Sequence, residues 1–129
     1  MTFRLTRRRF ILSLAAALAP VALVSFAWTN FPSLRRAAVE SLLTDIAGAR
    51  AIGVRYLALA PEEADRGALA AALFSGFAEP PASPIEFAQL RSTLAAQRER
   101  DFAAGDTVVI GGWILARTEA RLCALATLS

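Results

Sequence analysis

The residues of this chain whose types could support chemistry lie near its C-terminal end, after Trp113. Arg117, Glu119 and Arg121 occupy alternate positions and offer one carboxylate between two guanidinium groups. Catalysis by a glutamate usually needs a second acid or base, or a metal ion, within reach. Asp106 is the only other acid nearby, and no spacing argument joins it to Glu119. We therefore expect no catalytic pair, and we expect Arg117 and Glu119 to cap a helix start or to pair with each other.

The composition also argues against cofactor chemistry. The chain has no His, a single Cys and a single Met, and all 14 of its basic residues are Arg. His, Cys and Met are the usual ligands of haem, copper, zinc and iron–sulfur centres, and a Schiff base requires a Lys. The glycines at 105, 111 and 112 are turn residues outside the strand–loop–helix context of a phosphate-binding loop. We expect a protein that is not an enzyme and that holds no metal or cofactor of its own.

Cys123 is the only cysteine, and it lies next to Leu122 and Leu125, which recur at helical spacing. A lone cysteine cannot form an internal disulfide or hold a metal cluster. We expect a buried free thiol, which behaves as a small apolar side chain. An intermolecular disulfide and lipid attachment are the alternatives.

The first 27 residues have the three parts of a signal peptide. Arginines at positions 4, 7, 8 and 9 form a basic start, and no acid precedes Glu40. An apolar stretch follows from Ile11 to Ala27, and Ser25-Phe26-Ala27 ends it with small residues where a signal peptidase needs them. We expect cleavage after Ala27, which would divide the chain into a leader at residues 1–27 and a domain at residues 28–129.

Within this leader, residues 6–12 contain a polar residue, two adjacent arginines, a spacer, a Phe and an aliphatic pair. Residues 6–27 therefore resemble bacterial twin-arginine (Tat) signal peptides, with the recognition residues Arg7, Arg8, Phe10 and Ile11. The resemblance implies that the Tat translocase is a partner and that the protein reaches the periplasm. That route carries proteins that are already folded, often with a redox cofactor or a bound partner.

The leader has a second possible fate. From Phe10 to Trp28 the apolar stretch is 19 residues long, close to the roughly 20 residues that span a hydrocarbon core. If it is not cleaved, it would anchor the protein in the inner membrane. The N-terminal arginines would then stay in the cytoplasm, and the domain would face the periplasm. Pro20 in the middle of the stretch and the weak exit site leave both fates open.

The basic charge of the chain belongs to the leader. The whole chain has 14 basic and 11 acidic residues and a net charge of +3. Four of the arginines precede residue 28 and none of the acids do, so the domain carries a net charge of −1. No basic patch with interleaved aromatic residues occurs after the leader. We therefore expect no binding to nucleic acid.

The first half of the domain has the apolar pattern of helices. Over residues 33–60, apolar residues recur at steps of three and four, which predicts helical structure. Thr44-Asp45 and Gly48 should divide it into two helices or kink it. Ala49 and Gly53 lie four positions apart, so they would let another helix approach closely.

The next segments combine strong start and stop signals. Pro61 followed by two glutamates predicts a helix start, with the helix ending near Ser75-Gly76. Residues 78–84 hold three prolines and predict a stiff, solvated linker. Ser83, Pro84 and Glu86 form a capping box with proline at the first position. That helix should run to about Ala104, with inward-facing residues Phe87, Leu90, Leu94 and Phe102.

The C-terminal part predicts a β-hairpin and a last helix. Two short apolar runs flank Gly111-Gly112, so a two-residue turn would pair Ile110 with Trp113 and Val109 with Ile114. One face must be core, and it consists of Val108, Ile110, Trp113 and Leu115. The helix that follows from Thr118-Glu119 should have its leucines inward and Arg121 outward.

This hairpin is apolar on both faces, and a two-stranded hairpin is barely stable alone in water. It should therefore either lie between helices or add its edge or outer face to a partner. The candidate partner-binding residues are Val109, Trp113, Ile114 and Arg117.

Together these features predict a mainly α-helical domain of four to five helices with a C-terminal β-hairpin, after an N-terminal signal or anchor helix. The leader resembles those of folded, often cofactor-containing proteins, yet this chain has few residues that could hold a cofactor. Both features are explained if a partner protein holds the cofactor. The first hypothesis is a non-catalytic accessory subunit that binds and co-exports a larger cofactor-containing periplasmic enzyme, of the oxidoreductase class. The alternative is a stand-alone envelope protein, anchored by residues 10–28, with a structural or small-ligand-binding role.

Overall fold

Five α-helices and one β-hairpin make up residues 32–77 and 79–128, which are the residues that the computed structural model describes. In chain order the elements are α1 (Pro32–Leu42), α2 (Ile46–Leu59), α3 (Arg66–Leu73), α4 (Pro84–Ala104), β1 (Thr107–Ile110), β2 (Trp113–Ala116) and α5 (Arg117–Leu128). The predicted mainly helical domain with a C-terminal hairpin is confirmed. The expected leader at residues 1–27, with its export-signal residues and Ala27, lies outside the described residues.

The break between α1 and α2 is formed by Asp45, as the sequence predicts. Its backbone is extended, and its carboxylate accepts a hydrogen bond of 3.0 Å from the backbone N–H of Gly48. This satisfies one of the donors that a helix leaves unpaired at its first turn. The chain therefore ends one helix at Leu42 and starts the next at Ile46.

The predicted helix start at Pro61 is wrong. Residues Pro61–Glu63 form a single 3₁₀ turn, and α3 begins only at Arg66. The cap is Asp65, whose carboxylate accepts a hydrogen bond of 2.7 Å from the backbone N–H of Ala68. Because Asp65 has an extended backbone, it separates the turn from the helix.

Helix α4 has the predicted bounds and the predicted capping box at Ser83 and Glu86, and it ends at Gly105, whose φ is +70°. Two expectations around it are wrong. Phe102 is 47% exposed, because α4 is buried only at Leu90 and Leu94 and its last turns lie beyond the core. The linker is not fully solvated, since Pro80 and Pro81 are buried.

The core is organised by α5, which packs antiparallel to α2. Helix α5 is buried over most of its length, from Thr118 to Ala126. At Gly53 the two helices lie so close that an added Cβ would overlap the Thr127 hydroxyl and the carbonyl of Cys123. The expected close approach is confirmed at Gly53, and both Ala49 and Gly53 are buried.

Within residues 32–77 and 79–128, no helix combines the length and the apolar character needed to cross a membrane.

We predict that Gly53→Ala destabilises the domain by about 1–3 kcal/mol, the usual cost of forcing extra volume into a packed core. Alanine is about 1 kcal/mol more favourable than glycine inside a helix. A lower free energy of unfolding in spite of this preference would therefore show the steric clash. The measurement is urea unfolding followed by circular dichroism. Gly76→Ala is the control, because an added Cβ there meets no atom of the described residues within 4 Å. Equal stability of the two variants would contradict the prediction.

Candidate functional site

The C-terminal hairpin has the register that the sequence predicts. Its pairs are Val108 with Leu115, Val109 with Ile114 and Ile110 with Trp113. The two turn glycines have φ angles of +57° and +83°, which are favoured in the tight turns that match the twist of two-residue hairpins. The backbone of the candidate site is therefore determined by local sequence.

One face of the hairpin is buried and the other is exposed, and Trp113 is the exception to this division. Ile110 is buried, and Val108 and Leu115 pack against the core. On the other face, Val109 and Ile114 form a directly opposed pair and are each 63% exposed.

Trp113 was expected on the core face, and this expectation is wrong because its side chain is 75% exposed. Along β2, exposure falls from Trp113 at the turn to Ala116, which is fully buried. The helices therefore cover only the end of β2 that joins α5. Trp113 lies next to Ile114 in the chain but belongs, by strand alternation, to the opposite face. We call Val109, Trp113 and Ile114 the exposed hairpin residues.

Arg117 does not share this exposed surface. Its Nε donates a hydrogen bond of 3.1 Å to Asp106 Oδ1, and its Nη1 donates one of 3.4 Å to the Tyr56 hydroxyl. Its guanidinium carbon is 6.0 Å from the centre of the Tyr56 ring. Only 27% of the Arg117 side chain is exposed. Arg117 thus fastens the base of the hairpin, where Asp106 precedes β1 and Arg117 follows β2.

The sequence predicts that Glu119 either caps a helix start or pairs with Arg117, and the structure shows that it caps α5. Its Oε2 accepts a hydrogen bond of 3.0 Å from the backbone N–H of Ala116, and its Oε1 lies 3.5 Å from Arg98 Nη1. The expected pairing of Glu119 with Arg117 does not form, because Arg117 bonds to Asp106 and Tyr56.

A second cluster was missed by sequence reasoning and lies at Glu63. The Tyr56 hydroxyl donates a hydrogen bond of 2.5 Å to Glu63 Oε2. Arg121 binds the same carboxylate with two donors, Nε to Oε2 and Nη2 to Oε1, each at 3.0 Å. The expectation that Arg121 points outward is therefore wrong. The sequence does contain a signal for this cluster in the spacing of Arg117 and Arg121. Two cations four positions apart on one helix face repel each other, so an acidic side chain is expected beside them.

These contacts shift the pKa values of the groups involved. The bidentate hydrogen bonds from Arg121 are the main cause that lowers the pKa of Glu63 below its ordinary value. Burial is the main cause that raises the pKa of Tyr56, and the hydrogen bond to Glu63 adds to it. The hydrogen bond with Glu63 raises the pKa of Arg121. Each charge is paired, so the cluster stabilises the fold and has no group poised to exchange a proton near neutral pH.

Among the described residues, no three His, Cys, Asp or Glu side chains come together as a possible metal site. Cys123 is a buried free thiol, as expected, and burial raises its pKa to about 11.

No protein-family model, no curated protein and no solved structure matches this chain.

We predict that the domain loses stability in acid through Glu63. Its folded pKa lies below the unfolded value near 4.5, so its contribution is present above that pH and is lost as the pH falls through the folded pKa. Urea unfolding at pH 7 and in steps below pH 4.5 measures the slope of the unfolding free energy against pH. Glu63→Gln should flatten it, whereas Glu62→Gln at the exposed neighbour should leave it unchanged. An identical slope in all three proteins would refute the assignment.

We predict that Tyr56 ionises above pH 10. Its folded pKa is raised from 10.0, so its contribution to stability is present below pH 10 and is lost as the pH rises through the folded pKa. Tyr56 is the only tyrosine, so the ultraviolet absorbance of tyrosinate reports on it alone. Glu63→Gln should move the midpoint towards 10. A wild-type midpoint at or below 10 would contradict the hydrogen bond to Glu63.

Proposed function

We propose that this protein is a non-catalytic accessory subunit of the periplasm, exported by the twin-arginine route together with a larger cofactor-containing enzyme of the oxidoreductase class. Two properties of the sequence support the proposal. Residues 6–27 resemble a leader used for folded proteins, and a chain without His or Lys and with one Cys is poorly equipped to bind a cofactor itself. The accessory subunit would supply the export signal, and the enzyme would supply the chemistry.

The observation that carries the proposed binding role is the exposure of the hairpin residues. Val109, Trp113 and Ile114 are between 63% and 75% exposed. Burying a fully exposed large apolar side chain contributes about 1.5–3 kcal/mol. Most of that free energy is still available to a partner that covers these three residues. Tryptophan is also one of the residue types enriched among the side chains that dominate protein–protein affinity.

The hairpin is suited to binding because it is held in place before a partner arrives. Ile110 and Ala116 anchor its two strands in the core, and the Asp106–Arg117 ion pair closes its base. A surface that is already ordered has less conformational entropy to lose on association. In the proposal Arg117 therefore positions the hairpin, while the exposed hairpin residues make the contact.

A stand-alone envelope protein is the second candidate. It is favoured by the 19-residue apolar stretch from Phe10 to Trp28, which approaches the length of a membrane anchor. N-terminal sequencing of the exported protein tests the anchor, because an intact leader favours the anchored protein and a start at Trp28 favours a released one.

We predict that Trp113→Ala and Ile114→Ser each reduce the amount of bound partner at least tenfold, because truncating a side chain that dominates an interface costs about 2 kcal/mol or more. The measurement is a native pull-down of the C-terminally tagged chain from the envelope of its own host. A stoichiometric larger subunit with a flavin or haem absorption spectrum is expected.

Ile85→Ser is the matched control. Ile85 is 72% exposed, similar to Ile114, but lies in the first turn of α4. It should leave the complex intact. Recovery of the wild-type chain without a larger subunit would refute the accessory-subunit proposal. An equal loss of bound partner in Ile85→Ser and in the hairpin variants would show that the hairpin is not the binding surface.

A further inference from the structure

A groove of about 340 Å³ lies on the side of the domain where α1, α4 and α5 meet. Leu42 and Leu43, at the end of α1, form one wall, and one face of α4 forms the other. Leu115 of β2 and the buried face of α5 form the floor. The volume is in the range of small-molecule sites, which begin near 300 Å³.

The α4 wall has a basic residue at each end and apolar residues between them. Arg91, Leu94, Ala95 and Arg98 all line the groove. Their spacing of three, four and seven positions puts them on one helix face, with the two arginines about 10 Å apart along the axis.

The floor offers a ligand apolar contact and no free hydrogen-bond donor from the Thr118 side chain. Leu115, Leu122 and Cys123 line it. The Thr118 hydroxyl, which also lines the groove, already donates a hydrogen bond of 2.6 Å to Asp101 Oδ2. The Cys123 thiol is neutral at physiological pH, because burial raises its pKa to about 11. An alkyl chain suits such a floor better than a polar molecule.

The rim of the groove has an excess of positive charge. Glu119 is the only acid that lines it, and it is engaged by Arg98 at 3.5 Å and by the backbone N–H of Ala116. No ion pair links Arg91 to any residue within 32–77 and 79–128. One arginine at the edge of an apolar groove is therefore left without a counter-ion from the described part of the chain.

We propose that this groove binds an anionic amphiphile, a molecule with one anionic headgroup and a linear alkyl chain. The headgroup pairs with Arg91, and the chain lies against Leu94, Leu122 and Cys123. A neutral or cationic amphiphile leaves Arg91 unpaired, and a small polar anion leaves the apolar floor uncovered. This binding does not depend on the partner proposed for the hairpin, because none of the exposed hairpin residues lines the groove.

The test is calorimetric titration of the full chain with dodecanoate below its micelle concentration, with dodecyltrimethylammonium as the cationic counterpart. Ala95→Phe fills the groove and should weaken dodecanoate binding more than tenfold. Ala96→Phe is the matched control, because Ala96 is exposed and does not line the groove. Arg91→Gln should weaken binding about two- to fivefold, the usual range for an exposed ion pair. Arg100→Gln on the same helix should not.

A second readout locates the ligand. Cys123 is the only cysteine and lines the groove, so bound dodecanoate should shift the NMR signal of its ¹³C-labelled side chain in wild type and in Ala96→Phe, but not in Ala95→Phe. A change in this signal with phosphatidylglycerol vesicles and not with free dodecanoate would support the same chemistry with a membrane lipid as the source. Equal affinity for dodecanoate and dodecyltrimethylammonium, equal affinity of the two Phe variants, or binding of neither dodecanoate nor phosphatidylglycerol would overturn the proposal.

Discussion

The close contact between α2 and α5 at Gly53 is the constraint on which the rest of the domain depends. With no side chain at Gly53, the backbones approach until Thr127 donates a hydrogen bond of 3.1 Å to the carbonyl of Arg50, and Arg50 Nε donates one of 3.3 Å to the carbonyl of Ala126. These contacts join positions more than 70 residues apart. They fix the antiparallel register of the two helices, and backbone groups here bond across the interface as well as within each helix.

That register determines which polar groups meet at the other end of the pair. Because the helices are antiparallel, the step along α2 from Gly53 to Tyr56 leads towards the start of α5 at Arg117. The Arg117 side chain donates a hydrogen bond to the Tyr56 hydroxyl there. The 3₁₀ turn after α2 then carries Glu63 to Arg121. A shift of α5 by one residue would rotate both arginines away and leave a partly buried carboxylate unpaired, which is costly. The polar cluster therefore favours the same register that the close contact at Gly53 fixes.

Most of the correct and incorrect predictions from the sequence divide along this line, and the exception is the helix start at Pro61, which a local cap at Asp65 displaces to Arg66. The cap at Ser83, the helix stop at Gly105 and the register of the hairpin were predictable, because each is decided by residues within a few positions of one another. Arg121, Phe102 and Trp113 were placed wrongly, because their exposure depends on which elements lie beside them. The period of a helix or strand tells which residues share a face, but it does not tell how far a neighbouring element extends along that face. Phe102 and Trp113 both lie where the covering element ends.

Strand β2 connects the two surfaces that we consider functional. Consecutive side chains of a strand point to opposite faces, so Ile114 lies on the exposed outer face while Leu115, one position on, lines the groove. The tight turn at Gly111 and Gly112 and the burial of Ile110 and Ala116 fix the register of this strand, and a slip by one residue would exchange these two side chains. This register therefore keeps Ile114 available to a protein and the groove lined with apolar side chains. Because Ile114 and Leu115 are on opposite sides of one strand, a substitution at Ile114 alters the exposed hairpin residues without changing the lining of the groove.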